Sequence, residues 1–247
     1  MLTDKKRHRG LFIAGTDTGV GKTILAAGLT RLSRHKGLRG LAVKPVETGC
    51  AIRSGELYPE DGGFLTEASE NDLSLDECVP FRFSVPAAPA RAAAMAGTRL
   101  CLADLVEHVA ALAETADIVV VEGAGGLLVP IQDNLMMIDF IERLGYPTLL
   151  VGRRRLGTIN HTLLSVEALK HRGLETAGIV LSSSEDHCGV EEEFTPHDIA
   201  CMAENIPVTV LRHLAPDIRR DSLEIALEIE RTFPPELLNR WLGFEHH

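Results

Sequence analysis

The chain has 247 residues and a formal net charge of −10, enough for one large domain with a sizeable core and a poor match to nucleic acid as the main partner. No apolar run approaches the length of a membrane span, and the basic, polar Met1–Gly10 stretch lacks the apolar core of a signal peptide, so a cytoplasmic protein is expected. The five cysteines (Cys50, Cys78, Cys101, Cys188 and Cys201) are odd in number and form no C-x-x-C pair, which fits free thiols in a reducing compartment.

Short apolar runs alternate with helical patterns along the chain. Strands are predicted over 11–16, 40–45, 117–122, 147–152, 176–182 and 207–212, several of them rich in Val, Ile and Leu without polar alternation, as strands covered on both faces should be. Helices are predicted over 22–36, 103–115, 136–144, 159–172, 197–204 and 222–231. This alternation implies an α/β fold, a parallel sheet with helices on both faces, in a single domain over 1–247, and it is the Gly15–Thr23 segment that makes it phosphate-loop NTPase-like. Residues 1–10 are expected to be a disordered tail, and Glu245-His246-His247 is set aside as resembling a purification-tag remnant. Residues 46–63 and 78–99 are expected to be long connections, the second with a short helix, and the polar, acidic 183–196 a mobile loop.

The chemistry is concentrated after the strands, where ligands of such sheets bind. The first strand runs into Gly15-Thr16-Asp17-Thr18-Gly19-Val20-Gly21-Lys22-Thr23 and then into a helix. That is the phosphate-binding loop arrangement, with its leading glycine one place early, at Gly15 instead of position 16. Backbone N–H groups would wrap a polyphosphate, with Lys22 reaching the β- and γ-phosphates and the Thr23 hydroxyl on Mg²⁺. The second strand ends at Lys44-Pro45, which aims a lysine into the same cleft. The third delivers Glu122 into the glycine-rich Gly123-Ala124-Gly125-Gly126, where an acid would hold Mg²⁺ and glycines admit a ligand to the backbone. Asp61 follows the 50–60 loop as a candidate second carboxylate. Gly157 and Thr158 open a helix after Arg153-Arg154-Arg155, which suits capture of a carboxylate. His197 and Cys201 have ligand spacing of one helical turn, without further ligands.

Together these segments resemble the dethiobiotin synthetase family, whose G-T-D-T-x-V-G-K-T, K-P-V-x-[ST]-G, V-E-G-A-G-G and L-G-x-I-N-H motifs match Gly15–Thr23, Lys44–Gly49, Val121–Gly126 and Leu156–His161 in order. The resemblance implies ATP- and Mg²⁺-dependent carboxylation and ring closure of 7,8-diaminopelargonate with CO₂, through a carbamate and a carbamic-phosphoric anhydride, to dethiobiotin. It implies that Lys22, Lys44 and Thr18 serve the reaction and that Gly19, Val20, Gly21, Lys22, Thr23 and Ile24 hold the nucleotide. It further implies Thr23, Asp61 and Glu122 on Mg²⁺, Thr18, Thr48 and Lys44 on the carbamate and phosphate region, and Gly125 along the diamine. The family is a homodimer in which Thr158, Ile159 and Asn160 would take the carboxylate of a substrate held across the interface.

Three stretches depart from the family pattern. Ser182 stands at about the position of an Asn that binds the base. Arg212-His213-Leu214-Ala215 replaces a G-x-[IL]-P turn near the base, and Ala88-Pro89-Ala90 replaces an S-P-H segment near the diamine. An ATPase that positions chromosomes or division sites is the alternative on the same fold. Its signature lysine, however, aligns with Asp17, and no amphipathic membrane helix or basic DNA-binding face is legible. Another ATP-dependent amidating ligase is the second alternative; a full amidotransferase would need a glutaminase part for which the chain has no room.

Overall fold

The computed structural model describes residues 9–183 and 190–244. The first half runs β1 (Arg9–Gly15), α1 (Lys22–His35), β2 (Gly40–Val43), β3 (Val46–Thr48), β4 (Ala51–Arg53), β5 (Glu56–Tyr58), α2 (Glu60–Ala68), α3 (Leu75–Cys78), β6 (Phe81–Phe83), α4 (Pro89–Met95) and α5 (Leu102–Thr115). The second half runs β7 (Ile118–Gly126), β8 (Pro130–Gln132), β9 (Leu135–Met136), α6 (Met137–Leu144), β10 (Thr148–Arg153), α7 (Thr158–His171), β11 (Thr176–Ser182), α8 (Val190–Met202) and β12 (Val208–Leu211). A 3-10 turn over Ile218–Arg220, then α9 (Ser222–Thr232) and α10 (Pro235–Leu242), complete it.

Six strands form one parallel sheet in the order β12-β11-β10-β1-β7-β2. Successive side chains of β1 leave on opposite faces, as the strand period of two requires. Leu11 and Ile13 join a core with Leu25 and Leu29 of α1 and Ile225 and Ile229 of α9. Phe12 and Ala14 join a second core with Leu105 and Val109 of α5 and Phe140 and Ile141 of α6. Phe12 meets Phe140 edge to face at 5.7 Å between ring centroids. Both faces of the strand are therefore apolar, which is why its sequence shows no alternation.

All six strands of this sheet fall where the sequence places them. Three of their ends differ by two residues or more, and β1 begins already at Arg9. β2 stops at Val43, and the N–H of Lys44 turns away to donate to the Cys78 carbonyl at 3.0 Å. β7 runs on to Gly126, which pairs with Gly15 of β1, so the glycine-rich segment is strand rather than turn. The 46–63 connection is not irregular: it holds β3, the β4–β5 hairpin and the start of α2. The hairpin turns on Ser54 and Gly55, both at positive φ (51° and 88°), the geometry of a two-residue primed turn. α2 escaped notice because Gly62-Gly63 interrupts its helical pattern. The helix expected within 78–99 is α4, opened by Pro89 at its first position. The helix expected at 197–204 begins at Val190, so the 190–196 part of the expected loop is helical in spite of Pro196. The rest of that loop over 184–189, the 1–8 part of the expected tail and the 245–247 segment lie outside the described residues; Arg9 and Gly10 of that tail already belong to β1.

No helix among the described residues is long and apolar enough to cross a membrane. Cys50, Cys78, Cys101 and Cys201 are free thiols. α1 and α9 pack closely because Gly28 lacks a side chain: a Cβ there would stand 2.5 Å from Ile229 Cδ1 and 2.6 Å from Ile225 Cγ2. Gly28→Val is therefore expected to force these helices apart and cost about 2 kcal/mol, read as a lower urea midpoint at unchanged slope.

Candidate active site

The loop between β1 and α1 lies at the carboxyl end of the sheet, beside the strand where the order of connection reverses. α1 begins at Lys22 after Gly21, whose φ of 100° suits glycine, and no side chain caps the helix. Its first N–H groups and the positive end of its dipole thus face the loop, the geometry that receives an anion. The loop is held from two neighbouring strands, β10 and β11. The Thr16 N–H donates to the Val151 carbonyl at 2.9 Å. Arg153, also on β10, donates to the carbonyls of Thr18 at 3.0 Å and Gly19 at 3.2 Å. The end of β11 closes on Gly21, where an added Cβ would be 2.8 Å from Ser182 Oγ.

A cavity of about 760 Å³ opens over this loop. Its floor carries four side chains that the sequence singled out separately. Glu122 Oε1 accepts from the Thr23 hydroxyl at 3.0 Å and from Lys44 Nζ at 3.0 Å. Lys44 Nζ also donates to Asp61 Oδ2. Asp61 is therefore not a loop residue but part of the first turn of α2, brought to the cluster by that helix. Glu122 is 2% exposed, and its Oε2 is buried without a protein partner. Lys22 Nζ donates to the Asp17 carbonyl at 2.9 Å and is buried too.

The electrostatics separate the two lysines. Burial works to strip the proton from Lys44, but the carboxylates of Glu122, Asp61 and Glu47 together outweigh it and hold the ammonium well above the usual lysine range. For Lys22 burial prevails, and its ammonium is held below the usual range despite the attraction of Glu122, with the Lys44 charge adding to the depression.

Of the remaining expected residues, Thr18, Gly19, Val20, Gly21, Ile24, Thr48, Gly125 and Ser182 line the cavity. Arg212 and Leu214 of the departing turn line its far end with Ser183, and Ala88 and Pro89 line another wall. Thr158 faces a smaller cleft with Thr16, Arg153 and His161 on the other side of the loop, while Ile159 and Asn160 line neither. His197 and Cys201 lie on α8 with Sγ 3.6 Å from Nε2. Sequence reasoning treated Arg153 only as one of three arginines; its grip on the loop needed the register of β10 beside β1 to be seen. Because polyphosphate prefers the charged form of Lys22, affinity for ADP is expected to fall with rising pH before the ordinary lysine range near ~10.4 is reached. Calorimetric titrations across that interval check this, and Lys22→Arg should remove the fall.

The model of the AAA domain family matches residues 9–218. The ATP-dependent dethiobiotin synthetase BioD of Anaeromyxobacter sp. (strain K) is 44% identical over 212 residues, covering 86% of this chain and 93% of the relative. The protein of the same name from Bacillus velezensis is 36% identical over 201 residues, 81% of this chain and 84% of the relative. Among solved structures, the septum site-determining protein MinD from Pyrococcus horikoshii, complexed with Mg-ADP, aligns with a TM-score of 0.55 at 17% identity, over 95% of this chain and 93% of that one. A ParA family ATPase from Chlorobium tepidum aligns at 0.52 and 16%, over 95% and 97%. At that identity the two structures establish a shared fold alone. The extent and identity of the sequence matches settle the family: this chain belongs to the ATP-dependent dethiobiotin synthetases.

Proposed function

We propose that the chain closes the ureido ring of dethiobiotin from 7,8-diaminopelargonate, CO₂ and ATP, acting as one catalytic domain. The observation that carries this reading is the second lysine: Lys44 stands with Glu122, Asp61 and Thr23 directly beside the phosphate loop. Nucleotide binding alone calls for one loop lysine, whereas phosphoryl transfer to an anionic acceptor calls for cations on both sides of the transferring group.

The hydroxyl of Thr23 and the carboxylates of Glu122 and Asp61 are hard oxygen donors that fit Mg²⁺, an ion that keeps waters and phosphate oxygens for its other positions. The unpartnered, buried Oε2 of Glu122 supports that fit. An ion held there would supply neutralisation of phosphate charge. Gly19 to Ile24 hold the polyphosphate and Ser182 stands toward the base. One amine of the diamine takes up CO₂ as a carbamate. Lys44, Thr18 and Thr48 hold its oxygens, and a carbamate oxygen attacks the γ-phosphorus as ADP leaves. Lys22 follows the charge on the transferring group. The second amine then attacks the carbamoyl carbon, the C–O bond to phosphate breaks, and the ring closes. No protein nucleophile is needed; positioning and charge supply the rate. The bare walls at Ala88 and Gly125 accommodate the diamine.

We extend the proposal to a cytoplasmic homodimer in which Thr158, Ile159 and Asn160 receive the carboxylate of substrate held by the other copy.

Phosphate release from ATP and Mg²⁺ with bicarbonate, adding and omitting the diamine and weighing the product, tests the function. Diamine-dependent release with dethiobiotin formed is expected; diamine-independent hydrolysis would favour a positioning ATPase. Lys44→Met is expected to lower turnover roughly 100-fold or more. It should also cost about 3 kcal/mol of stability by leaving Glu122 buried without its cation. Steady-state rates and urea midpoints of the same preparation check both.

A further inference from the structure

Glu47 is the variable position of the Lys44–Gly49 motif, and the mechanism above does not use it. It stands in the middle of β3 and is 5% exposed. Both of its oxygens are engaged by the first turn of α2: Oε1 accepts the N–H of Asp61 at 3.2 Å and Oε2 accepts that of Gly62 at 2.9 Å. Every helix leaves its first N–H groups without intrahelical partners. The N-cap residue of α2 is Pro59, and its side chain makes no cap. A carboxylate delivered from a strand caps the helix instead, with the sign of charge that this end of the dipole favours. From the opposite side Val79 presses on the same turn, since a Cβ at Gly62 would overlap Val79 Cγ2.

Two consecutive N–H bonds fix the peptide planes before and after the Asp61 Cα. Lys44 holds the Asp61 carboxylate from one side, but that side chain is still 42% exposed, so its direction depends also on where the backbone places it. We propose that Glu47 is a positioning residue for the metal site: by capping α2 it aims the Asp61 carboxylate at Lys44 and Glu122 instead of at solvent. This rests on the proposed role of Asp61 toward Mg²⁺.

The test measures equilibrium binding without turnover. Affinity for a non-hydrolysable ATP analogue is determined by calorimetry with and without Mg²⁺, for the parent, Glu47→Ala, Asp61→Ala and the double variant. Glu47→Ala is expected to shrink the gain in affinity brought by Mg²⁺ roughly 10-fold while leaving the metal-free affinity unchanged. In the Asp61→Ala background the Glu47 change should add nothing further, because the two act through one carboxylate. Glu47→Gln keeps one acceptor and the side-chain volume, so it should give an intermediate loss and serves if the alanine variant does not fold. A purely structural cap would lower the urea midpoint and leave the Mg²⁺ gain intact. That outcome, or losses that add in the double variant, overturns the role of Glu47 while leaving Asp61 as proposed. An undiminished gain in Asp61→Ala overturns both.

Discussion

Two carboxylates stand together at the bottom of this cavity because one ammonium stands between them. Glu122 is withdrawn from water almost completely, and burial holds its carboxyl above the usual range although a neighbouring cation works against it. Lys44 is that cation, and it reaches Asp61 as well. The arrangement is mutual, since the lysine keeps its own proton in a buried place only through the acids around it. Each element bearing one of these groups is thereby given a fixed place. β7 brings Glu122, the chain leaving β2 brings Lys44, α2 brings Asp61 and the first turn of α1 brings Thr23. The parallel sheet sets β2 and β7 side by side, α1 follows from β1 on the other flank of β7, and α2 completes the set.

Much of this was legible from residues alone, for an identifiable reason. The central strands are continuous apolar runs, a pattern that survives without tertiary context, and β1, β2 and β7 lead into a glycine, a lysine and an acid at the carboxyl end of the sheet. What escaped was short, interrupted or dependent on distant contacts. α2 contains two glycines that lower its intrinsic helicity, and it holds because Glu47 caps it and Leu65 and Ala68 are buried. β3 and β6 form a two-stranded pair of three residues each, too short for periodicity to register. Arg153 was legible as a charge but not as a contact, because its partners lie on a loop far away in sequence. Asp61 was read as part of a connection, whereas it belongs to the first turn of α2. Glu47 gave no signal: between Val46 and Thr48 it resembles any surface position of a strand.

The phosphate loop is tied at its first residue by Val151, at its crest by Arg153 and at its last glycine by the close approach of Ser182. Glycine-bearing segments are the costliest to order, because they surrender the most backbone freedom. Here that loss is taken when the domain folds, alongside the burial of the sheet, and little remains to be taken when a ligand arrives. The loop's affinity is thus partly a property of the strands that brace it. Substitutions that weaken binding should accordingly be scattered over β10 and β11, with most of them silent in any comparison confined to the loop's own sequence.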